Sequence, residues 1–365
     1  MRKRLRRLGE LLTVCAILTE AALAASLLEH AESVRASFGW RDNVMLSPFS
    51  PVARGFGRAE LESFLSWQRG DWRVLTLLSG DVLRYISPPS EASGEQQWLL
   101  HAESRWEPRA GWRAALKADA FLQDLVVDLS ETEAARTVLA DRVRGAFATL
   151  APRLPMPAGF ALEPSVQRKR IDYRSLNADY DETRAGVRLT WRRGHGPGLA
   201  LGWTEQQRDY ADRTQYTARG RPIAGTKLAF EIRELQVRAD TTWQAAGAWT
   251  GVLTVARGST RDGASGFFDH DQRHARVDLT WQPAAWKLSL EVDAKRADYL
   301  VQTVGTGLAP PPRIADTYSA RLRVERRLNP SWLAFLEHGW ERNRSNEREF
   351  SYRTNTALAG LQRDF

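Results

Sequence analysis

Cysteine is almost missing from this 365-residue chain: there is one, Cys15, and only three methionines. A single thiol allows no internal disulfide, so the fold is held by noncovalent forces. Long apolar runs are missing as well. After the N-terminal segment no stretch approaches the roughly 20 apolar residues that a spanning helix needs. Mean hydropathy is −0.44, which excludes a helical membrane protein. It does not exclude a barrel, whose strands meet lipid only at every second residue. Phosphate-binding loops, dinucleotide fingerprints and the HExxH zinc motif are also missing.

Tryptophan is abundant instead, with 14 copies, and most sit beside short turns. Trp67 and Trp72 bracket Gln68-Arg69-Gly70-Asp71, and Trp106 and Trp112 bracket 107–111. Trp243 and Trp249 flank a third turn, Trp281 and Trp286 a fourth, and Trp191 and Trp332 one more each. An indole has an apolar body and one N–H donor, so it favours the boundary between hydrocarbon and water. A ring of indoles beside tight turns predicts the aromatic girdle of a membrane barrel.

Between the turns, apolar and ionic residues alternate. In 286–295, Trp286, Leu288, Leu290, Val292 and Ala294 share one face, while Lys287, Ser289, Glu291, Asp293 and Lys295 share the other. The same period of two recurs in 112–120, 235–241, 274–281 and 318–325, and period two is the signature of a strand. The pattern predicts a single domain, all-β: an antiparallel transmembrane β-barrel of about 16 strands. Fourteen remain open because 151–158, PRLPMPAG, is proline-rich and poor for pairing. The expected connections alternate between eight long ones, near 41–55, 88–95, 129–140, 174–181, 211–226, 260–270, 300–315 and 346–352, and seven short ones. Long extracellular loops and short periplasmic turns are the barrel arrangement. Trp40, Trp98, Tyr318 and Trp340 fall near the long-loop ends and Trp203 in mid-strand.

The N-terminus reads as a cleavable export signal over 1–24, leaving the barrel to 25–365. Arg2, Lys3, Arg4, Arg6 and Arg7 precede an apolar stretch from Leu11 to Thr19, and Ala22-Leu23-Ala24 is a small-x-small cleavage site. Formal net charge is +8. The segment 1–24 carries five basic and two acidic residues, which leaves about +5 on the remainder. These cations alternate with apolar residues instead of clustering, so nucleic acid is not expected as a partner.

The chain ends in Phe365, preceded at steps of two by Arg363, Leu361, Ala359 and Ala357. With the signal and the strands, this tail resembles the C-terminal recognition signal of Gram-negative outer-membrane β-barrel proteins. Arg363 departs from that pattern, where an apolar or aromatic residue is usual. The resemblance covers nearly the whole chain and identifies no subfamily. It implies an outer-membrane location, outer-membrane lipid as surroundings, and reading of Phe365 by the barrel-assembly machinery.

Parity then assigns the lumen. Arg58, Glu60, Glu62, Arg105, Arg113, Lys117, Asp119, Arg184, Arg188, Arg238, Asp240, Arg276, Asp278, Lys287, Glu291, Arg321, Arg323 and Glu325 are expected to point inward. A barrel of this size leaves an aqueous channel unless a loop fills it; 41–55 and 300–315 are the candidates to fold in. The expected function is a porin-like channel for passive diffusion of small hydrophilic solutes, with a modest anion preference. The alternatives are an export barrel for an anionic surface polymer, a structural or adhesion barrel with a closed lumen, and a soluble propeller. No catalytic residue, cofactor or metal is expected, and oligomeric state is left open. His270 and His274 are taken not to share a face, and His101 to lie in the lumen beside Glu103.

Overall fold

A computed structural model describes residues 27–87, 93–128, 138–194, 196–305 and 308–365. The expected signal segment with Cys15, and His195, lie outside the described residues. The first strands in chain order are β1 (Leu27–Arg41), β2 (Arg54–Arg69), β3 (Trp72–Tyr85), β4 (Gly94–Trp106), β5 (Arg113–Asp128) and β6 (Val138–Pro155). Next come β7 (Phe160–Tyr173), β8 (Tyr180–Arg192), β9 (Gly198–Tyr210) and a small loop hairpin, β10 (Gln215–Tyr216) with β11 (Pro222–Ile223). The remaining strands are β12 (Ala229–Gln244), β13 (Ala248–Arg261), β14 (His270–Gln282), β15 (Trp286–Thr303), β16 (Pro312–Asn329), β17 (Trp332–Ser345) and β18 (Tyr352–Asp364).

All but β10 and β11 form one closed antiparallel barrel of sixteen strands, with β1 hydrogen-bonded to both β2 and β18. Closure is necessary in hydrocarbon, where an unpaired backbone group costs several kcal/mol. The seam runs from Ser33 opposite Asp364 to Arg41 opposite Thr356, and the Phe365 N–H extends it to the Glu32 carbonyl at 3.0 Å.

The count of sixteen settles the ambiguity around 151–158. β6 continues to Pro155 and the connection contracts to 156–159. The β6–β7 ladder passes from Leu150–Val166 to Leu154–Leu162. Continuing that register places Pro152 opposite Pro164 in the gap, and neither has an N–H to give.

Two faces follow from the pleat. The exposed large hydrophobics Leu199, Leu201, Trp203, Leu253, Val255, Leu290, Val292, Leu336 and Leu361 all lie on one parity of their strands. The opposite parity converges on the inside. Arg58 and Asp81 on one wall share a cavity of about 400 Å³ with Arg321 and Glu337 on the other. Trp203 therefore faces outward from mid-strand.

The inner wall is not uniformly polar. Phe56, Leu83, Tyr85, Leu333, Phe335 and Leu358 form a buried apolar strip, and Val44 from the β1–β2 connection packs onto it. The strip depends on two glycines. A Cβ at Gly39 would stand 2.5 Å from the Phe56 ring, and one at Gly360 would stand 2.6 Å from the Phe335 ring and 2.4 Å from the Ala36 carbonyl. The 41–55 connection thus enters the barrel, anchored by Asn43, whose amide donates to the Ser47 and Arg353 carbonyls. The 300–315 connection does not follow that expectation. It prolongs the β15–β16 hairpin, with Thr303 opposite Pro312. Proline still accepts through its carbonyl, and Val304 N–H donates to Pro311 O at 2.9 Å.

Candidate functional site

The inward faces of neighbouring strands bring the sequence-predicted charges together as a series of ion pairs. On β1–β3, Arg58 makes two hydrogen bonds to Asp81 at 2.9 and 2.7 Å and pairs with Glu60 at 2.6 Å. Glu62 accepts from Arg35 at 3.1 Å. On β4–β5, Glu103 holds Arg105 at 2.6 Å and Lys117 at 4.0 Å. His101 meets Asp119 at 2.6 Å and Glu103 at 3.9 Å. Arg113 opposes Arg153 in register, and its Nε is buried without a partner among the described residues.

The far wall repeats the arrangement. Arg276 bridges Asp278 at 3.0 Å and Glu291 at 3.1 Å. Lys287 reaches Glu325 at 3.5 Å, and Arg323 links Glu325 at 2.6 Å to Glu337 at 3.1 Å. Arg321 joins the same Glu337 at 3.6 Å. Asp240 pairs with Arg192. Lys287–Glu325 and Arg323–Glu337 are directly opposite in the antiparallel register, while Arg276–Asp278 and Arg323–Glu325 are same-face neighbours two residues apart on one strand.

The wall formed by β7, β8, β9 and β12 differs. Arg184 donates to the Thr204 hydroxyl at 3.3 Å. Among the described residues no carboxylate lies within ion-pair distance of Arg184 or Arg238. Arg188 has only Glu163 at 3.9 Å. Nearby, Lys169 and Arg208 stand over the Tyr180 ring at 5.5 and 4.5 Å, and Arg208 pairs with Glu182 at 2.9 Å. Among the described residues, Arg184 and Arg238 on this wall thus keep unspent electrostatic attraction, as do Arg113 and Arg73 elsewhere on the inner face, while most other inward cations are neutralised by neighbours.

At the long-loop end a second apolar cluster forms from Tyr210, Leu228, Phe230, Phe267 and Phe268. It joins the β9–β12 and β13–β14 connections. Asp262 shapes the second of these by accepting from the N–H groups of Ala264, Gly266 and Phe268 at 2.9, 2.9 and 3.1 Å. Burial pushes the neighbouring Asp269 carboxyl above its usual range.

The residues that sequence reasoning missed are informative. Lys169, Glu163 and Glu182 lie on or beside β7, where the proline-rich stretch obscured the pattern. Glu337 was readable by parity on β17. The histidine expectation needs correction. β14 begins at His270, so His270 and His274 do share the inward face, because four steps in a strand is an even number. They are about 13 Å apart along the strand, and each has its own partner: His270 the Phe268 carbonyl at 3.0 Å, His274 Asp293 at 2.6 Å.

The tryptophans beside the short turns lie in register across neighbouring strands. Trp243, Trp249 and Trp281 stack in series at 5.6 and 5.3 Å, and Trp72 stacks on Trp106 at 6.2 Å. Two indole N–H groups cap a turn, Trp249 to Ala245 O at 3.0 Å and Trp281 to Ala246 O at 3.2 Å. Arginines cover the outer rings: Arg109 on Trp112, Arg326 on Trp286 and Arg363 on Trp332 at 4.6, 5.2 and 5.8 Å. Trp191 leans on Phe160 at 6.5 Å, and Trp67 is opposite Leu28. Arg363 also covers the Phe365 ring at 4.6 Å, which accommodates a cation at an outward position.

Among known structures, the barrel superposes on OccAB3 of Acinetobacter baumannii with a TM-score of 0.50 at 6% identity, covering 93% of this chain and 99% of that one. The chain has the porin fold. An anion-selective porin from Comamonas acidovorans gives 0.48 at 9% identity over 93% and 100% of the two chains. OmpT, an outer membrane protein of Vibrio cholerae, gives 0.45 at 10% over 94% and 98%. No family model and no curated protein matches the sequence. With its apolar exterior and closed seam the chain is a transmembrane β-barrel of the kind found in the Gram-negative outer membrane.

Proposed function

We propose that this barrel is a porin-like channel for small hydrophilic solutes with a modest anion preference. The observation that carries this reading is an excess of unpaired inward cations: among the described residues Arg184 and Arg238 face the interior with no carboxylate within ion-pair distance, and Arg113 faces Arg153 across the β5–β6 ladder. Charges lining a narrow pore select by sign, and paired charges contribute little net field. The inward β1–β2 connection supports a channel narrower than the wall alone would give. Trp67, Trp72, Trp106, Trp112, Trp191, Trp243, Trp249, Trp281, Trp286 and Trp332 form its membrane-interface girdle in this reading. Phe365 serves as the signal that the barrel-assembly machinery reads.

Planar-bilayer recordings across a KCl gradient test the proposal. The wild type should conduct with weak anion selectivity, and Arg184→Glu with Arg238→Glu should move the reversal potential toward the cation side. A conducting barrel whose selectivity ignores both substitutions would refute the anion assignment. An absence of conductance would favour a closed structural barrel, with the 42–53 connection as its plug.

A further inference from the structure

We propose that the outer rim of β17–β18 holds the phosphate of a membrane lipid headgroup. On β17 the outward positions toward the long-loop end are Trp340, Arg342 and Arg344, in that order. On β18, Arg353 lies directly opposite Arg342. Like charges directly opposite on adjacent strands are unfavourable. The same opposition recurs on β13–β15, where Arg273 faces Arg257 and Arg296, but several of the outward arginines at this end are paired. Arg142 has Asp124 at 2.6 Å, Arg144 has Asp172 at 3.3 Å, and Arg296 has Asp298 at 2.9 Å. Among the described residues no carboxylate comes within ion-pair distance of Arg342, Arg344 or Arg353.

The three guanidiniums, with Arg348, line a cavity of about 780 Å³ between the 42–53 connection and the β17–β18 hairpin. Its one acidic lining residue, Asp42, is already engaged, accepting from the Asn355 backbone and side-chain N–H groups, both at 2.6 Å. Arg348 is held over the Phe49 ring at 5.2 Å. The cavity therefore presents donors and excess positive charge, four guanidiniums against the single carboxylate of Asp42. Guanidinium forks match phosphate oxygens in geometry as well as charge.

Position selects the source of the phosphate. Trp340 borders the same cavity, and below it Leu336 is 62% exposed on the lipid-facing wall. A phosphorylated headgroup seated on the arginines would lay its acyl chains down this wall. A free phosphate gains nothing from it. Its arginines lie on the outward parity of β17 and β18, so the proposal does not depend on whether the channel conducts.

The test uses the full barrel in detergent, with native mass spectrometry reading retained lipid. The probes are bisphosphorylated lipid A, fully dephosphorylated lipid A and inorganic phosphate. Bisphosphorylated lipid A should bind the wild type about 10- to 100-fold better than it binds Arg342→Gln/Arg344→Gln/Arg353→Gln, the range expected for losing charge-assisted hydrogen bonds. Dephosphorylated lipid A should bind the wild type as weakly as the phosphorylated form binds the variant. Arg142→Gln/Arg144→Gln, which removes paired arginines, should leave binding near wild type. Equal retention of both lipid forms by the wild type would overturn the proposal even if the triple variant failed to fold. Displacement by inorganic phosphate at concentrations comparable to the lipid would overturn the lipid assignment in favour of a free-anion pocket.

Discussion

Leu290 and Glu291 are adjacent on β15 yet should respond in opposite ways to the same new residue. Leu290 faces outward between Leu279 and Leu322 on the flanking strands. It lies four residues above Trp286 at the strand end, about 13 Å along the strand and about 10 Å in height after a tilt near 40°. In an apolar band about 25 Å tall that is close to the midplane, where an arginine costs ~2–4 kcal/mol. Glu291 faces inward and contacts Arg276 at 3.1 Å, with side chains 36% and 40% exposed. A pair so exposed contributes at most about 1 kcal/mol, and Arg276 keeps Asp278. Leu290→Arg should therefore lower the folded population in lipid vesicles about 30- to 1000-fold under matched urea. Glu291→Arg should fold nearly as well as wild type and increase anion selectivity. Folding is read from heat-resistant electrophoretic migration and urea titration. Equal tolerance of the two substitutions, or the reverse order, would refute the facing assignment and with it the barrel orientation of every strand.

Gly360→Ala should destabilise the barrel by about 1–3 kcal/mol through overpacking, because its Cβ would meet the Ala36 carbonyl at 2.4 Å. Gly57→Ala, whose nearest neighbour would be 3.6 Å away, should change stability far less; paired urea titrations compare them. Trp249→Ala should cost more than Trp72→Ala, since Trp249 stacks on two indoles and Trp72 on one, each contact contributing about 0.5–1.5 kcal/mol. Similar losses would argue against the stacked series. Deleting 43–51 should raise single-channel conductance, and an unchanged conductance would show that the inward connection does not narrow the path. Asp269 is raised by burial, so its protonated form suits the folded loop. The contribution is present below its folded pKa and is lost as pH rises through it. Hydrogen exchange at Phe268 should accordingly slow as pH falls into the acidic range, after correction for intrinsic rates, and Asp269→Asn should remove the dependence.

Much of the architecture was legible because each strand carries its own instructions. Alternation with period two fixes which residues share a face, wherever the strand ends up. Tryptophans and short polar segments mark the turns, and even the mid-strand Trp203 faces the side its parity assigns. Legibility failed where a local cue was ambiguous. Prolines in 151–158 weaken pairing on paper, yet Pro152 falls opposite Pro164 and one gap in the ladder absorbs both. The sequence pattern puts His270 at the end of a long connection, whereas β14 begins there and gives it the face of His274.

From the chain alone came the strand number, within two, and the period-two alternation that sorts each strand into two faces. These depend on residues a few positions apart, and backbone geometry converts such spacing directly into direction. Only the tertiary structure decided what the interior contains. Val44 packs in one cluster with Phe335 and Leu358, about three hundred residues away in sequence, Arg58 shares a cavity with Glu337, and among the described residues Arg184 is left without a carboxylate. Such contacts depend on closure and on the register at the β1–β18 seam, and no local pattern encodes the distance between residues that meet only when the cylinder shuts.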